Sequence, residues 1–144
     1  MNQPERSFSI RIVSWKDKAP LIRIVRTAVF ILEQRVPEEL EWDEFDETCV
    51  HVLACDARQP IGTARLLPHG HIGRMAVMKG WRKKGVGRAI LQILLKEMIS
   101  RGMSRATLNA QVTATGFYQK FGFQIVGNEF IDADIPHVKM LLLL

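Results

Sequence analysis

The sequence predicts a mixed α/β domain of the α+β kind, with a mainly antiparallel central sheet of about six to seven strands flanked by helices. Short apolar segments follow one another through tight turns instead of alternating with helices, which favours antiparallel pairing. Two longer segments repeat apolar residues at three- and four-residue steps, the period of a helix packed on a sheet. With 144 residues, 47% of them hydrophobic, the chain has the size and apolar content of one domain spanning 1–144.

Phe8 to Val13 alternates as a first strand. Asp17 to Arg35 places Leu21, Ile24, Val25, Ala28, Val29 and Leu32 at helical spacing, and the acid-rich Pro37 to Glu47 reads as a loop or short helix. Cys49 to Asp56 and Ile61 to Leu67 form a hairpin through Ala57-Arg58-Gln59-Pro60, and His69-Gly70 turns the chain into a strand over His71 to Met78. Val86, Ala89, Ile90, Ile93, Leu94 and Met98 mark a helix of about 16 residues, about 24 Å long, that stops at Arg101-Gly102. Ala106 to Ala110 is a strand, a short helix carries Tyr118, and Gln124 to Phe130 and His137 to Leu143 close the sheet.

Between the fourth strand and the long helix lies Trp81-Arg82-Lys83-Lys84-Gly85-Val86-Gly87-Arg88. Unpaired N–H groups in a helix's first turn, with the positive end of its dipole, bind anions. Glycines let a phosphate approach the main chain, and Arg82, Lys83, Lys84 and Arg88 add charge. Two common phosphate motifs are excluded. Gly80 and Gly85 have P-loop spacing, but Val86-Gly87 stand where its lysine and hydroxyl belong. Gly85-Val86-Gly87-Arg88-Ala89-Ile90 lacks the third glycine of a dinucleotide fingerprint, and no acid follows about 20 residues on.

Arg82-x-x-Gly85-x-Gly87 resembles the acetyl-CoA pyrophosphate loop of the GNAT superfamily of N-acetyltransferases. About thirty residues later, the strand Ala106 to Ala110 with Asn109, then Phe117-Tyr118-Gln119-Lys120-Phe121-Gly122-Phe123, resembles that family's second signature. The resemblance implies acetyl-CoA as co-substrate and no metal, with the two central strands splayed and the pantetheine arm paired to main chain of Met75, Ala76 and Val77. It places the pyrophosphate on Arg82, Lys83, Lys84, Gly85, Val86, Gly87 and Arg88, and Asn109, Phe117 and Tyr118 beside the cofactor. The implied reaction is direct attack of a primary amine on the thioester, with main-chain N–H near Ala76 and Val77 stabilising the oxyanion. Tyr118, the only tyrosine, is the implied general acid. A phenol of ordinary pKa about 10 protonates a sulfur whose thiol has pKa about 8.5 only as a hydrogen-bonded donor, so geometry has to supply what acidity does not.

Val29 to Gln34 followed by Val36 to Asp46 resembles the ElaA/YjcF-like branch of the superfamily, in which this segment lies near the acceptor cleft. Glu33, Glu41 and Asp46 are on that ground candidates for the base or the acceptor site. So is His137, in Asp134-Ile135-Pro136-His137, against the plainer reading of a strand-start histidine near the surface. Seven of the 15 acids crowd into Glu38 to Glu47, whereas 13 of the 20 Lys and Arg fall at or after Arg58. The net charge of +5 thus covers a basic half suited to an anionic cofactor and an acidic segment that either attracts a cationic amine or is a solvated loop.

Cys49 and Cys55 lie on one strand about 20 Å apart, too far to be joined, and read as core fillers in a reducing compartment. His69-Gly70-His71 reads as a solvated turn, not a metal site. Trp15, Trp42 and Trp81 form no evident stacking platform, and His51 sits on the other face of its strand from Val50 and Val52. Met1 to Arg6 precede no apolar signal core, and Met140 to Leu144 is too short to span a membrane, so the expected location is cytoplasmic. The expected partner is a small-molecule or peptide amine, with no nucleic acid and no membrane, and a homodimer accords with the family. Two other readings stay open: a regulatory protein that binds acetyl-CoA without catalysis, and a nucleic-acid module using the basic loop, which lacks interleaved aromatics.

Overall fold

The computed structural model describes residues 7–144; Met1 to Arg6 lie outside the described residues. The strands are β1 (Ser9–Val13), β2 (Val50–Asp56), β3 (Gln59–Leu66), β4 (His71–Val77), β5 (Arg105–Gln111), β6 (Gln124–Asp132) and β7 (Ile135–Leu143). They form one sheet in the order β1-β2-β3-β4-β5-β7-β6. Every neighbouring pair is antiparallel except β4 and β5, which are parallel. The helices are α1 (Trp15–Arg26), α2 (Glu38–Glu41), α3 (Val86–Ser100) and α4 (Thr115–Gln119). The expected α+β class, with its mainly antiparallel sheet, is the observed one. No helix among the described residues is long and apolar enough to cross a membrane.

The apolar stripe on α3 makes the core. Val86, Ile90, Leu91, Leu94 and Met98 are buried against Val52, Ala54, Leu66, Ile72, Leu108 and Met140 of the sheet. Each such side chain contributes about 1.5–3 kcal/mol by leaving water. A smaller cluster of Val25, Val29 and Ala76 lies under α1.

Two departures from regularity shape the site. β4 and β5 pair only at His71–Thr107 and Ile72–Leu108, so beyond that point they part. On its other edge β4 carries a bulge: Arg65 opposes Gly73 and Thr63 opposes Ala76, leaving one extra residue on β4. Arg74, at the bulge, has φ +50°. An inserted residue reverses the faces of the pleat, so Ile72 belongs to the α3 core, Ala76 belongs to the α1 cluster, and Met75 and Val77 return to the α3 side.

Three expectations are corrected. The helix read over Asp17 to Arg35 starts at Trp15, where Ser14 accepts from the Asp17 N–H, and after Arg26 it widens into a π-helical segment, Thr27–Glu33. Wider turns rotate later residues off the apolar stripe, and Leu32, expected on that stripe, is exposed. The first hairpin turns on Ala57-Arg58 alone, with Gln59 and Pro60 already in β3. Trp15 and Trp42 do meet, with ring centroids 6.5 Å apart, and the Arg23 guanidinium lies 5.1 and 4.9 Å from the two. The platform is filled by the protein's own arginine.

Candidate active site

Where β4 and β5 part, a cleft of about 340 Å³ opens. Met75, Ala76 and Val77 form one wall, Asn109 and Gln111 the other, and Tyr118 closes it from α4. Met78 N–H donates to Ile61 of β3, so by strand alternation Ala76 also faces β3 while Val77 turns its main-chain groups toward the gap. The Val77 carbonyl accepts from Arg82 Nε at 3.0 Å. Gly62, Val86 and Ile90 pack so closely under this strand that a Cβ on Gly62 would lie 2.9 Å from each of the latter two. That packing fixes β4 against the start of α3.

The Tyr118 hydroxyl donates to Met75 Sδ at 3.5 Å. Phe117 and Phe123 pack edge-on against the Tyr118 ring. Burial pushes the phenol up to about 12, which keeps it protonated through the neutral range. The thioether is a weak acceptor and holds the O–H loosely. Asn109 is exposed on β5.

The glycine loop lies at the start of α3. Gly85 has φ +86° and no side chain to cap the helix, and the first intrahelical bond runs from the Ala89 N–H to the Gly85 carbonyl. The N–H groups of Val86, Gly87 and Arg88 precede that bond and have no partner within the helix. Lys83, at φ +62°, and Lys84 and Arg88 form no ion pair among the described residues. Arg82 does. Both Glu33 carboxylate oxygens accept from it at 2.6 Å, and that hydrogen bond holds the Glu33 carboxyl below the usual range.

At the far end of the cleft the acidic segment folds inward. Buried Arg26 donates to Glu41 Oε2 at 2.7 Å and to Asp46 Oδ1 at 2.6 Å, and Arg65 donates to Asp43 Oδ1 at 2.6 Å and to Asp46 Oδ1 at 2.9 Å. Burial raises the Glu41 pKa against the charge of Arg26. Burial works the same way on Asp46, but the hydrogen bond and charge of Arg26, then those of Arg65, outweigh it and bring that pKa down. Three of the seven acids expected to be solvated or amine-attracting are thus internal partners of arginines. His137 lines the cleft, and its Nδ1 lies 2.7 Å from the Ile135 carbonyl. A carbonyl only accepts, so Nδ1 carries hydrogen and Nε2 of the neutral ring has the free lone pair.

A family model described as an acetyltransferase (GNAT) domain matches residues 17–144. The chain belongs to the GNAT acetyltransferases. This GNAT chain is similar to YyaT of Bacillus subtilis, 43% identical over 122 residues that cover 81% of this chain and 82% of that one. It is also similar to YjcF of the same organism, named an uncharacterized N-acetyltransferase, at 39% over 121 residues, or 81% and 86%. The crystal structure of Escherichia coli ElaA superposes with a TM-score of 0.85 at 25% identity, covering 94% of this chain and 99% of that one.

Of the residues the sequence singled out in this GNAT domain, Met75, Ala76, Val77, Arg82, Asn109, Tyr118, Glu41 and His137 line one cleft. Glu33 does not line it and stands at the loop through Arg82. Phe117 lies under the loop, 3.5 Å from where a Gly87 Cβ would be. Arg74 and a Gln111–Gln34 hydrogen bond of 2.9 Å across the cleft were missed. The only sequence trace of Arg74 is an arginine interrupting an apolar strand. Burial pushes the Cys49 thiol up to about 11, so its 3.3 Å contact with His51 Nε2 makes no reactive thiolate. Among the described residues no three His, Cys, Asp or Glu side chains group to hold a metal.

Proposed function

We propose that the protein transfers the acetyl group of acetyl-CoA to a primary amine by direct attack. The observation that carries the reading is Tyr118 on one side of the β4–β5 gap, its hydroxyl 3.5 Å from Met75 of the opposite strand, beside main chain turned into that gap. The pyrophosphate belongs at the first-turn N–H groups of Val86, Gly87 and Arg88, with Lys83, Lys84 and Arg88 supplying charge. Gly85 and Gly87 leave the main chain open to it. The pantetheine arm belongs along Met75, Ala76 and Val77, with Asn109 on the facing strand.

His137 is the base the tautomer favours: Nε2, its free nitrogen, takes a proton from the ammonium or from a relayed water, and the neutral amine attacks the thioester carbonyl. Of the expected pair Ala76 and Val77, only Val77 turns its main-chain N–H toward the gap, and that group stabilises the developing oxyanion. As the carbon–sulfur bond breaks, Tyr118 gives its proton to the leaving sulfur, and the second proton of the attacking nitrogen leaves to water and restores the phenol, so a neutral amide and a thiol result. Glu33 and Glu41 are already bonded to arginines, and neither is the base in this reading.

The test has two steps. Acetyl-CoA at millimolar concentration is expected to raise Tm, and no rise would end the reading. Release of free thiol across polyamines, amino sugars, amino acids and lysine peptides then separates catalysis from a regulator that only binds; silence across the whole panel favours the regulator.

A further inference from the structure

The charges at the acceptor end of the cleft bear on the substrate, on the footing of the transfer reading above. Arg26, Arg65 and Arg74 meet Glu41, Asp43 and Asp46, three charges against three, so these acids offer no net negative field for a cationic acceptor; the other four acids of the segment are exposed and do not line the cleft, and Asp132 is the one further acid in its lining. The three arginines are not held alike. Arg26 and Arg65 are buried, with carboxylate contacts as short as 2.6 Å. Arg74 makes only long contacts, 3.2 to 3.4 Å, to Glu41, Leu40 and Asp43, and only through Nε and Nη2. Its Nη1 has no partner among the described residues and is not among their buried unsatisfied atoms. With 28% of its side chain exposed, Arg74 lines the cleft alongside His71 and His137.

Its backbone supports a functional reading. A non-glycine residue at φ +50° carries strain that the β4 bulge has to maintain, and bulges re-aim side chains. Arg74 immediately precedes Met75, the residue touched by Tyr118. An underused guanidinium edge in a concave site is a carboxylate receptor, and here it stands one residue from the proposed reaction centre.

We infer that Arg74 receives a carboxylate of the acceptor, so that the amine substrate is an amino acid or another small amino-carboxylate and not a polyamine or a protein lysine. The attacked carbonyl and the carboxylate receptor are then spanned by one small molecule.

The experiment measures thiol release from acetyl-CoA with matched acceptors: α-, β- and γ-amino acids, their carboxamides and their decarboxylated amines. The acids are expected to exceed their carboxamides at least about tenfold in kcat/KM, the effect of one charged hydrogen-bonded contact. In Arg74→Gln that ratio should fall to about one while the rise in Tm on adding acetyl-CoA stays as in the wild type; Arg74→Lys should keep part of the ratio. If Arg74→Gln does not fold, the wild-type ratio and Arg74→Lys decide. Neutral amines acetylated as fast as the acids, or a ratio that survives in Arg74→Gln, would overturn the Arg74 assignment alone. Acetyl-CoA binding with no amine acetylated would overturn the transfer reading and this inference with it.

Discussion

Arg82 of the glycine loop and Glu33 at the end of the π-helical segment form a two-pronged ion pair, Nη1 to Oε2 and Nη2 to Oε1, each 2.6 Å. With Nε on the Val77 carbonyl, the guanidinium is committed in three directions. A pyrophosphate arriving at the loop meets the negative charge of Glu33. Glu33→Gln is therefore expected to tighten coenzyme A binding about two- to fivefold by calorimetry, and to lower Tm by no more than about 3 °C, because exposed pairs contribute about 0–1 kcal/mol. Weaker binding would mean that Glu33 instead holds Arg82 in place for the phosphates.

Asp46 serves both Arg26 and Arg65 from a buried position. Its native pKa is lowered, so its contribution to stability is fully present above the ordinary aspartate value and is lost as pH falls through the native one. Asp46→Asn leaves two buried cations short of a partner, and about 3–5 kcal/mol, or about 10 °C in Tm, is expected at pH 7. At pH 3 the difference should shrink, because the wild type is losing the same charge. Glu41 has the opposite sign: its raised pKa means stability falls as pH rises from the ordinary glutamate value through the native one, and Glu41→Gln should flatten that part of the Tm profile. A gap between Asp46→Asn and wild type that is constant from pH 7 to pH 3 would contradict the ion-pair account.

Tyr118→Phe removes the proton donor while keeping the ring between Phe117 and Phe123. Turnover is expected to fall about 10²-fold or more, with little change in the affinity for acetyl-CoA. Because burial holds the phenol near 12, any loss of rate between pH 8 and 10 must come from another group and should persist in the variant. An unchanged rate would mean the sulfur leaves unprotonated or takes its proton from water.

Alternation, turn residues and helical spacing were enough to place all seven strands and the long helix; α3 and β5 each bury one regular face. They failed where the period breaks. The π-helical segment shifts Leu32 outward, and the β4 bulge swaps the faces of Ile72 and Ala76; neither inserted turn nor inserted residue marks the local sequence. The proposed donor side could be read from the sequence because the glycine loop and Phe117-Tyr118 are each a contiguous run. The acceptor side could not. Arg26 and Asp46, or Arg65 and Asp43, are about twenty residues apart in the chain and meet only in the tertiary fold, so the acidic run looked solvated. Arg74 leaves only the weak trace of an arginine in an apolar strand, since its place at the cleft goes with the bulge.

The two loop glycines are required for different reasons, and alanine separates them. Gly85 sits at φ +86°, and a Cβ placed there would have nothing within 4 Å, so Gly85→Ala strains only the backbone and should lower Tm by several degrees, for about 1 kcal/mol. A Cβ on Gly87 would meet Phe117 Cζ at 3.5 Å and Val77 Cγ2 at 3.8 Å, ordinary contacts, and alanine is the better helix former. Gly87→Ala should therefore leave Tm unchanged or slightly raised. Nothing among the described residues excludes that methyl group, and in the transfer reading it would stand where the pyrophosphate rests against the first turn of α3. A loss of at least about tenfold in acetyl-CoA affinity, measured by calorimetry on a fully folded variant, is the expected result. Wild-type affinity in Gly87→Ala would show that the pyrophosphate does not rest against this turn of α3.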